Sequence, residues 1–454
     1  MNPLASPLLT DLYQLTMLHA YYTHGMRDTA VFELFVRKLP PNRNFMMAAG
    51  LEQALDFLED LRFTAEDLEW VGKSRLFPRE FARQLEGLHF TGDVHAMPEG
   101  TIFFPDEPVL RVTAPMPEAQ FVESRLINLV HFETLVATKA ARSVLAAPGK
   151  RLVDFGLRRA HGAEAGLLAA RASYLAGFAG TATVIAGARM GIPVFGTMAH
   201  SFVEAHDDEA AAFEHFAQTY PGRAVLLIDT YDTELAALKV VALASKLKSR
   251  GIRIQGVRLD SGNHLVLARN VRRILNEGGL ADASIFASGN LDEYQLRALC
   301  AAGAPIDGFG IGTSLVTSSD APFLDAVYKL QEYAGKPRRK RSTGKATWPG
   351  RKQVFRQYDS AGCFHHDIIA VEDDNEKTGE PLLIPVMKRG RRLHGPETLA
   401  AIRGRAAAQL AKLPRHLALL ETATVAYPVE IHPALRKLAN QVDRVTSEVP
   451  VLCR

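Results

Sequence analysis

At 454 residues the chain is long enough to bury a large core and to form two or three domains. Hydrophobic residues make up 47% and charged ones 23%, and 53 Lys and Arg nearly cancel 50 Asp and Glu, so no global field points to nucleic acid or a membrane surface as partner. Cys300, Cys363 and Cys453 form neither a metal-ligand pair nor a disulfide framework, which favours a reducing cytoplasm, and neither a signal peptide nor the roughly 20-residue apolar run of a membrane helix is legible.

Residues 8–22 carry apolar side chains at helical spacing behind a Thr10-Asp11 cap signal. A strand-like run, 30–37, leads into the turn-forming Leu39-Pro40-Pro41-Asn42, and 50–93 reads as short helices. Short extended runs broken by proline and glycine occupy 94–114. Pro117 then opens a long helical pattern that places Phe121, Leu126, Leu129, Val130, Leu135 and Val136 on one side, a bridge into a second domain.

From about 150 to 330 one theme repeats, a short apolar run followed by a helical pattern. The candidate strands are 152–156, 192–196, 224–229, 252–259, 284–288, 306–311 and 326–330. Strands alternating with helices imply a parallel sheet, and this many units favour closure into a barrel. Beyond 335 the rhythm is lost. Between Lys336 and Arg356 stand only basic charges, which read either as a solvated loop or as an anion-binding segment. A strand-like run at 380–387 and helical patterns at 396–412 and 432–445 are expected to fold back on the N-terminal part. The expected domains are therefore 1–130, 131–334 and 335–454.

Residues capable of chemistry cluster at the predicted strand ends. Asp154-Phe155-Gly156-Leu157-Arg158-Arg159 closes one run, Gly180-Thr181-Ala182 follows, and Gly196-Thr197-Met198-Ala199-His200-Ser201 closes another. His200 suits a general base, nucleophile or metal ligand, and no second His or Cys stands at zinc-ligand spacing from it. Arg258 and Asp260 occupy alternate positions of one strand end and so face the same side. A guanidinium fork there suits a carboxylate or phosphate and an aspartate accepts from ribose hydroxyls, unless the two simply pair with each other. Asp229 and Asp232 read either as water-mediated Mg2+ ligands or as helix caps. Ser288-Gly289-Asn290 and the run Gly308 to Ser314, with Gly310, Gly312 and Thr313, offer backbone N–H groups to a phosphate. Together these ends point to a phosphorylated sugar.

Taken with 10–17, 32–37 and 349–356, the motifs 155–159, 196–201, 258–262 and 310–314 resemble, in order and spacing over nearly the whole chain, the nicotinate phosphoribosyltransferase family. The resemblance implies an α/β fold: an irregular seven-stranded α/β barrel with a mixed α+β domain built from the N-terminal and C-terminal segments. It implies transfer of phosphoribosyl from 5-phosphoribosyl 1-diphosphate to nicotinate, giving nicotinate mononucleotide and diphosphate, the first step of NAD salvage from nicotinate. It further implies ATP hydrolysis coupled through a phosphohistidine at His200, Mg2+ as cofactor with Asp260 as a candidate ligand, and a homodimer with shared active sites. In that picture Tyr13 of one subunit stacks on the pyridine ring opposite Phe155 of the other. Thr197 and Arg258 match nicotinate-contacting positions, Arg158 a phosphate-contacting one and Thr313 the binder of the sugar 5-phosphate. His200, Arg258 and Asp260 form the catalytic set, and Thr181, Ser288, Gly289, Gly310 and Gly312 complete the substrate-binding set.

Ala182 stands where relatives that use nicotinamide carry an acidic residue, and a carboxylate there would repel nicotinate, so alanine favours the acid. In one departure, Asn263-His264 replaces the family's usual aspartate after Asp-Ser-Gly, which lowers the expected Mg2+ affinity if that aspartate assists the metal. The alternatives left open are transfer to nicotinamide or quinolinate, and a catalytically idle barrel that binds a phosphosugar.

Overall fold

The computed structural model describes residues 6–373 and 379–447; Cys453 and the first five residues of the N-terminus lie outside the described residues. The chain divides into two compact units, one formed by residues up to Leu135 together with those from Phe323 on, the other by Val136–Pro322. The long helix Glu123–Ala146 contributes to both.

In the first unit the strand Thr29–Val36 pairs antiparallel with Pro108–Pro115 on one side and Ala326–Tyr333 on the other, inside a seven-stranded sheet. Every residue of that strand after Thr29 is buried, so its near-continuous apolar run reflects cover on both faces rather than alternation. The short helices Leu51–Glu59, Ala65–Lys73 and Arg79–Glu86 send Leu55, Leu58, Val71, Phe81 and Leu85 into the same core. Thr64 starts the second of these helices through a reciprocal capping box with Asp67.

The expectation that 326–330 is a barrel strand is corrected here. A short run of β-branched and aromatic residues marks a strand, but nothing local tells it which sheet to join. The basic stretch is likewise not one solvated loop. Residues Lys352–Tyr358 form a strand of a second, four-stranded sheet. Lys352 Nζ sits 2.7 Å from Glu33 Oε2, and Arg356 grips Asp367 with two nitrogens at 3.0 and 2.5 Å, all four side chains being buried. Arg339 and Arg351 pair with Asp443 and Glu332. Charges desolvated as deeply as Lys352 and Arg356 are retained only with partners, so these two cations belong to the architecture.

The second unit is a six-stranded parallel sheet in the order Gly180–Thr181, Arg151–Asp154, Gly308–Ile311, Ser284–Ala287, Ile254–Leu259, Ala224–Leu227. The residues 192–196, expected as a strand, supply a single bridge from Val194 to Thr181, and Pro193 has no N–H to extend it. Gly180–Thr181, not among the expected strands, is the strand at that edge. Among the described residues no ladder joins the Ala224–Leu227 edge to the opposite edge, and the unit is an α/β structure on a six-stranded parallel sheet.

Helices follow the strands, and Asp208, Asp232, Asn263 and Asp292 each accept a backbone N–H in the first turn of one of them. Asp232 is thereby a cap, which settles one of the two readings of that residue. In an open α/β sheet this arrangement collects strand C-terminal ends and helix N-termini along one rim, where ligands bind. Among the described residues no helix is long and apolar enough to cross a membrane.

Candidate active site

Along that rim a cleft of about 240 Å3 opens between four strand ends. Phe155, Arg158, Arg258, Asp260, Ser288, Gly289, Gly310, Gly312 and Thr313, nine of the residues singled out from sequence, line it together with Arg159, Asn290 and Leu291.

Hydrogen bonds tie part of its lining into a knot around Ser288. Arg258 Nε donates to Ser288 Oγ at 2.8 Å and Nη2 to Asp260 Oδ1 at 2.7 Å, while the Ser288 hydroxyl also bonds that same carboxylate oxygen. Arg258 and Asp260 do therefore pair, and the pair stays partly open to the cleft, with side chains 14% and 22% exposed. Burial alone would raise the Asp260 pKa; the Ser288 hydroxyl, the Arg258 guanidinium and the charge of His200 outweigh it and hold the carboxyl below its usual range. Arg258 Nη1 reaches Thr197 Oγ1 at 3.4 Å, and its guanidinium carbon lies 5.4 Å from the centroid of the Phe155 ring.

Two glycines are required by close approach. A Cβ on Gly310 would fall 2.4–2.5 Å from the Phe155 ring, so this glycine clears the space in which the ring lies. Gly289, at φ +95°, packs its backbone on that of Asp260, where a Cβ would stand 1.8 Å from the Asp260 carbonyl oxygen.

His200 borders the cleft rather than lining it. Its Nδ1 is 3.1 Å from Thr230 Oγ1 and its Nε2 is 3.9 Å from Asp260 Oδ2, with the side chain 39% exposed. Asp229 accepts from the Asp260 N–H at 3.0 Å and from Ser261 Oγ at 2.6 Å through Oδ2, and its buried Oδ1 has no hydrogen-bond partner among the described residues. Among the described residues no three His, Cys, Asp or Glu side chains converge as a metal cage.

Arg158 and Arg159 rise from the single 3-10 turn Leu157–Arg159 and, among the described residues, neither pairs with a carboxylate. Three guanidinium groups thus face one carboxylate in the cleft, a charge balance suited to a polyanion.

Thr181, expected to touch substrate, is not among the residues lining the cleft. It is fully buried, donates its hydroxyl to Asp154 Oδ2 at 2.7 Å and accepts from the Thr183 N–H at 3.0 Å. Asp154, whose role was not read from sequence, is fully buried and accepts the Gly156 N–H at 2.8 Å through its other oxygen. The available signal was a carboxylate ending an apolar strand, where an unpaired charge is too costly to stay without donors. Tyr13 belongs to the first unit, on the helix Leu12–Thr23; Gln14 and Gln120 both donate to Glu123 and dock that helix, and Tyr13 remains 46% exposed.

A parallel α/β sheet with an arginine-rich, hydroxyl-bearing cleft at its strand tips defines the class of α/β proteins that bind phosphorylated ligands at that rim. The model of the nicotinate phosphoribosyltransferase N-terminal domain matches residues 8–131, and that of the nicotinate phosphoribosyltransferase family matches 150–339. The chain is 50% identical over 426 residues to nicotinate phosphoribosyltransferase pncB2 of Mycobacterium tuberculosis, covering 93% of this chain and 91% of that one. It is 41% identical over 377 residues to the nicotinate phosphoribosyltransferase of Bacillus subtilis, covering 81% and 76%. The crystal structure of human nicotinic acid phosphoribosyltransferase superposes with a TM-score of 0.85 at 31% identity, covering 96% of this chain and 100% of that one. The chain belongs to the nicotinate phosphoribosyltransferase family.

Proposed function

We propose that this protein transfers the phosphoribosyl group of 5-phosphoribosyl 1-diphosphate to the ring nitrogen of nicotinate, releasing diphosphate and feeding NAD salvage. The observation that carries this reading is the convergence of Arg158, Arg258, Asp260, Ser288 and Thr313 on one cleft in a chain of this family. In the reaction the bond from the anomeric carbon to the diphosphate oxygen breaks and a bond from that carbon to the pyridine nitrogen forms. The nucleophile needs no covalent help, so the protein's task is positioning and charge neutralisation.

Phe155, with Arg258 beside it, offers a face and a cation to an aromatic carboxylate. Arg158 and Arg159 face the departing diphosphate, and Thr313 with the glycine-rich turn takes the 5-phosphate. Ala182 is exposed and places no carboxylate against an anionic ring substituent, which supports nicotinate over nicotinamide.

Mg2+ fits this donor set through substrate. Asp229 and Asp260 supply two neighbouring carboxylates, one with an unpartnered buried oxygen, and Mg2+ characteristically combines one or two carboxylates with water and substrate phosphates. When bound it supplies charge neutralisation of the diphosphate. Asn263 is engaged as a helix cap and is not counted as a ligand.

ATP is read as a co-substrate that phosphorylates His200, whose Nε2 faces the Asp260 side of the cleft. The exposed Tyr13 is read as the aromatic lid contributed by the other subunit of a homodimer. A seven-stranded barrel requires the segment bridged through Val194 to count as the seventh strand. A cytoplasmic setting fits the ionic substrates and the free Cys300 and Cys363.

The deciding assay supplies phosphoribosyl diphosphate with nicotinate, nicotinamide or quinolinate at equal concentration, with and without ATP. Nicotinate mononucleotide and diphosphate in equal amounts are expected, and preference for another base would overturn the substrate assignment.

A further inference from the structure

His264 follows the helix cap Asn263 and reaches across to the neighbouring strand tip, where its Nε2 lies 2.8 Å from the Ser288 carbonyl oxygen. A carbonyl only accepts, so Nε2 carries the proton in this contact. Ser288 is then held at every polar group by residues 258–264. Its N–H donates to Leu259 O at 2.7 Å, its hydroxyl engages Arg258 and Asp260, and its carbonyl takes the His264 N–H.

The carbonyl matters because of what shares its peptide plane. In a trans peptide the C=O of one residue and the N–H of the next point in opposite directions. Fixing the Ser288 oxygen toward His264 therefore fixes the direction of the Gly289 N–H. Among the described residues that N–H has no protein acceptor, and Gly289 lines the cleft. At φ +95° and without a side chain, Gly289 has the backbone freedom to rotate this peptide unless something holds it.

We infer that His264 is a positioning residue for the phosphorylated substrate: its Nε2–H pins the Ser288–Gly289 peptide so that the Gly289 N–H is preset as a donor to an anionic oxygen of phosphoribosyl diphosphate. The inference rests on the reading of the cleft as a phosphoribosyl diphosphate site, and it makes His264, next to the replaced position 263, part of substrate binding. The nicotinate side, built on Phe155, has no bond to His264.

The test compares wild type, His264→Ala, His264→Gln and His264→Leu in steady-state kinetics and thermal melting. The Ala and Leu variants are expected to raise KM for phosphoribosyl diphosphate about tenfold, the equivalent of one lost hydrogen bond, with KM for nicotinate within about twofold of wild type. Glutamine keeps an amide N–H at similar reach and is expected to restore KM to within about threefold. Wild-type KM for phosphoribosyl diphosphate in Ala or Leu, equal rises in both KM values, or a Gln variant as weak as Leu would each overturn the role. If His264→Ala does not fold, the Gln and Leu pair decides, since only Gln retains the donor. Absence of turnover in wild type would instead remove the substrate reading beneath it.

Discussion

One oxygen of the buried Asp154 carboxylate accepts the Thr181 hydroxyl at 2.7 Å while the other accepts the Gly156 N–H at 2.8 Å, so a single side chain ties together two neighbouring strand tips. The turn fixed at Gly156 is the one that presents Phe155 and Arg158 to the cleft. Asp154→Ala leaves two buried donors unpaired and is expected to destabilise the fold by about 2–5 kcal/mol, measured by denaturant unfolding. Asp154→Asn keeps an acceptor and is expected to lose much less. Burial raises the Asp154 pKa above 3.8 against the two hydrogen bonds. A raised carboxyl favours the folded state most fully below the unfolded value and loses that contribution as pH rises through the folded one. The Asn variant should therefore gain on wild type as pH rises through that interval; a pH-independent gap would contradict the shift.

Gly310→Ala introduces a methyl group into space held by the Phe155 ring. Because the ring lies beneath Arg258, displacing it disturbs the cation as well. The expected outcome is a loss of about 1–3 kcal/mol in stability and at least a tenfold fall in kcat/KM for nicotinate. Unchanged kinetics would show that the ring does not face substrate.

Asp260 has its carboxyl pKa lowered, so its contribution to stability is present above the ordinary value of 3.8 and is lost only as pH falls through the lower folded value. Between about pH 5 and pH 8 it stays ionised and holds Arg258 in place. The pH profile of kcat/KM in that range should carry no acid limb from this residue. An acid limb that vanishes in Asp260→Asn would refute this.

His200→Ala is expected to abolish stimulation by ATP while leaving some ATP-independent transfer. Its closest charged neighbour in the cleft is Asp260, so a phosphorylated imidazole would alter the charge beside the Arg258 pair. Rates with and without ATP check it, and an unchanged ATP effect removes the phosphohistidine from the mechanism.

Tyr13→Ala is expected mainly to raise KM for nicotinate, through loss of about 1–3 kcal/mol of stacking, the figure for bases on aromatic side chains. Folding should be little affected, because the ring is 46% exposed and its helix is held by Gln14. An unchanged KM would leave Tyr13 as an ordinary surface aromatic.

Residue order alone determined which groups sit at strand ends. Arg258 and Asp260 must share a side because strand side chains alternate, and Phe155, Ser288 and Thr313 each end or follow a short apolar run. It did not determine which sheet a strand joins: Ala326–Tyr333 has the local pattern of any strand, and only its pairing with Thr29–Val36 assigns it to the first unit. Nor did it separate a side chain that lines the cleft from one buried behind it. Thr181 and Thr313 are the same residue type after similar runs, yet one is sealed against Asp154 and the other lines the cleft. Lys352 and Arg356 look like surface charges until Glu33 and Asp367, far away in sequence, arrive as buried partners. Periodicity records local exposure, whereas partner choice among buried charges, hydroxyls and rings is a long-range contact that exists only once the chain has folded.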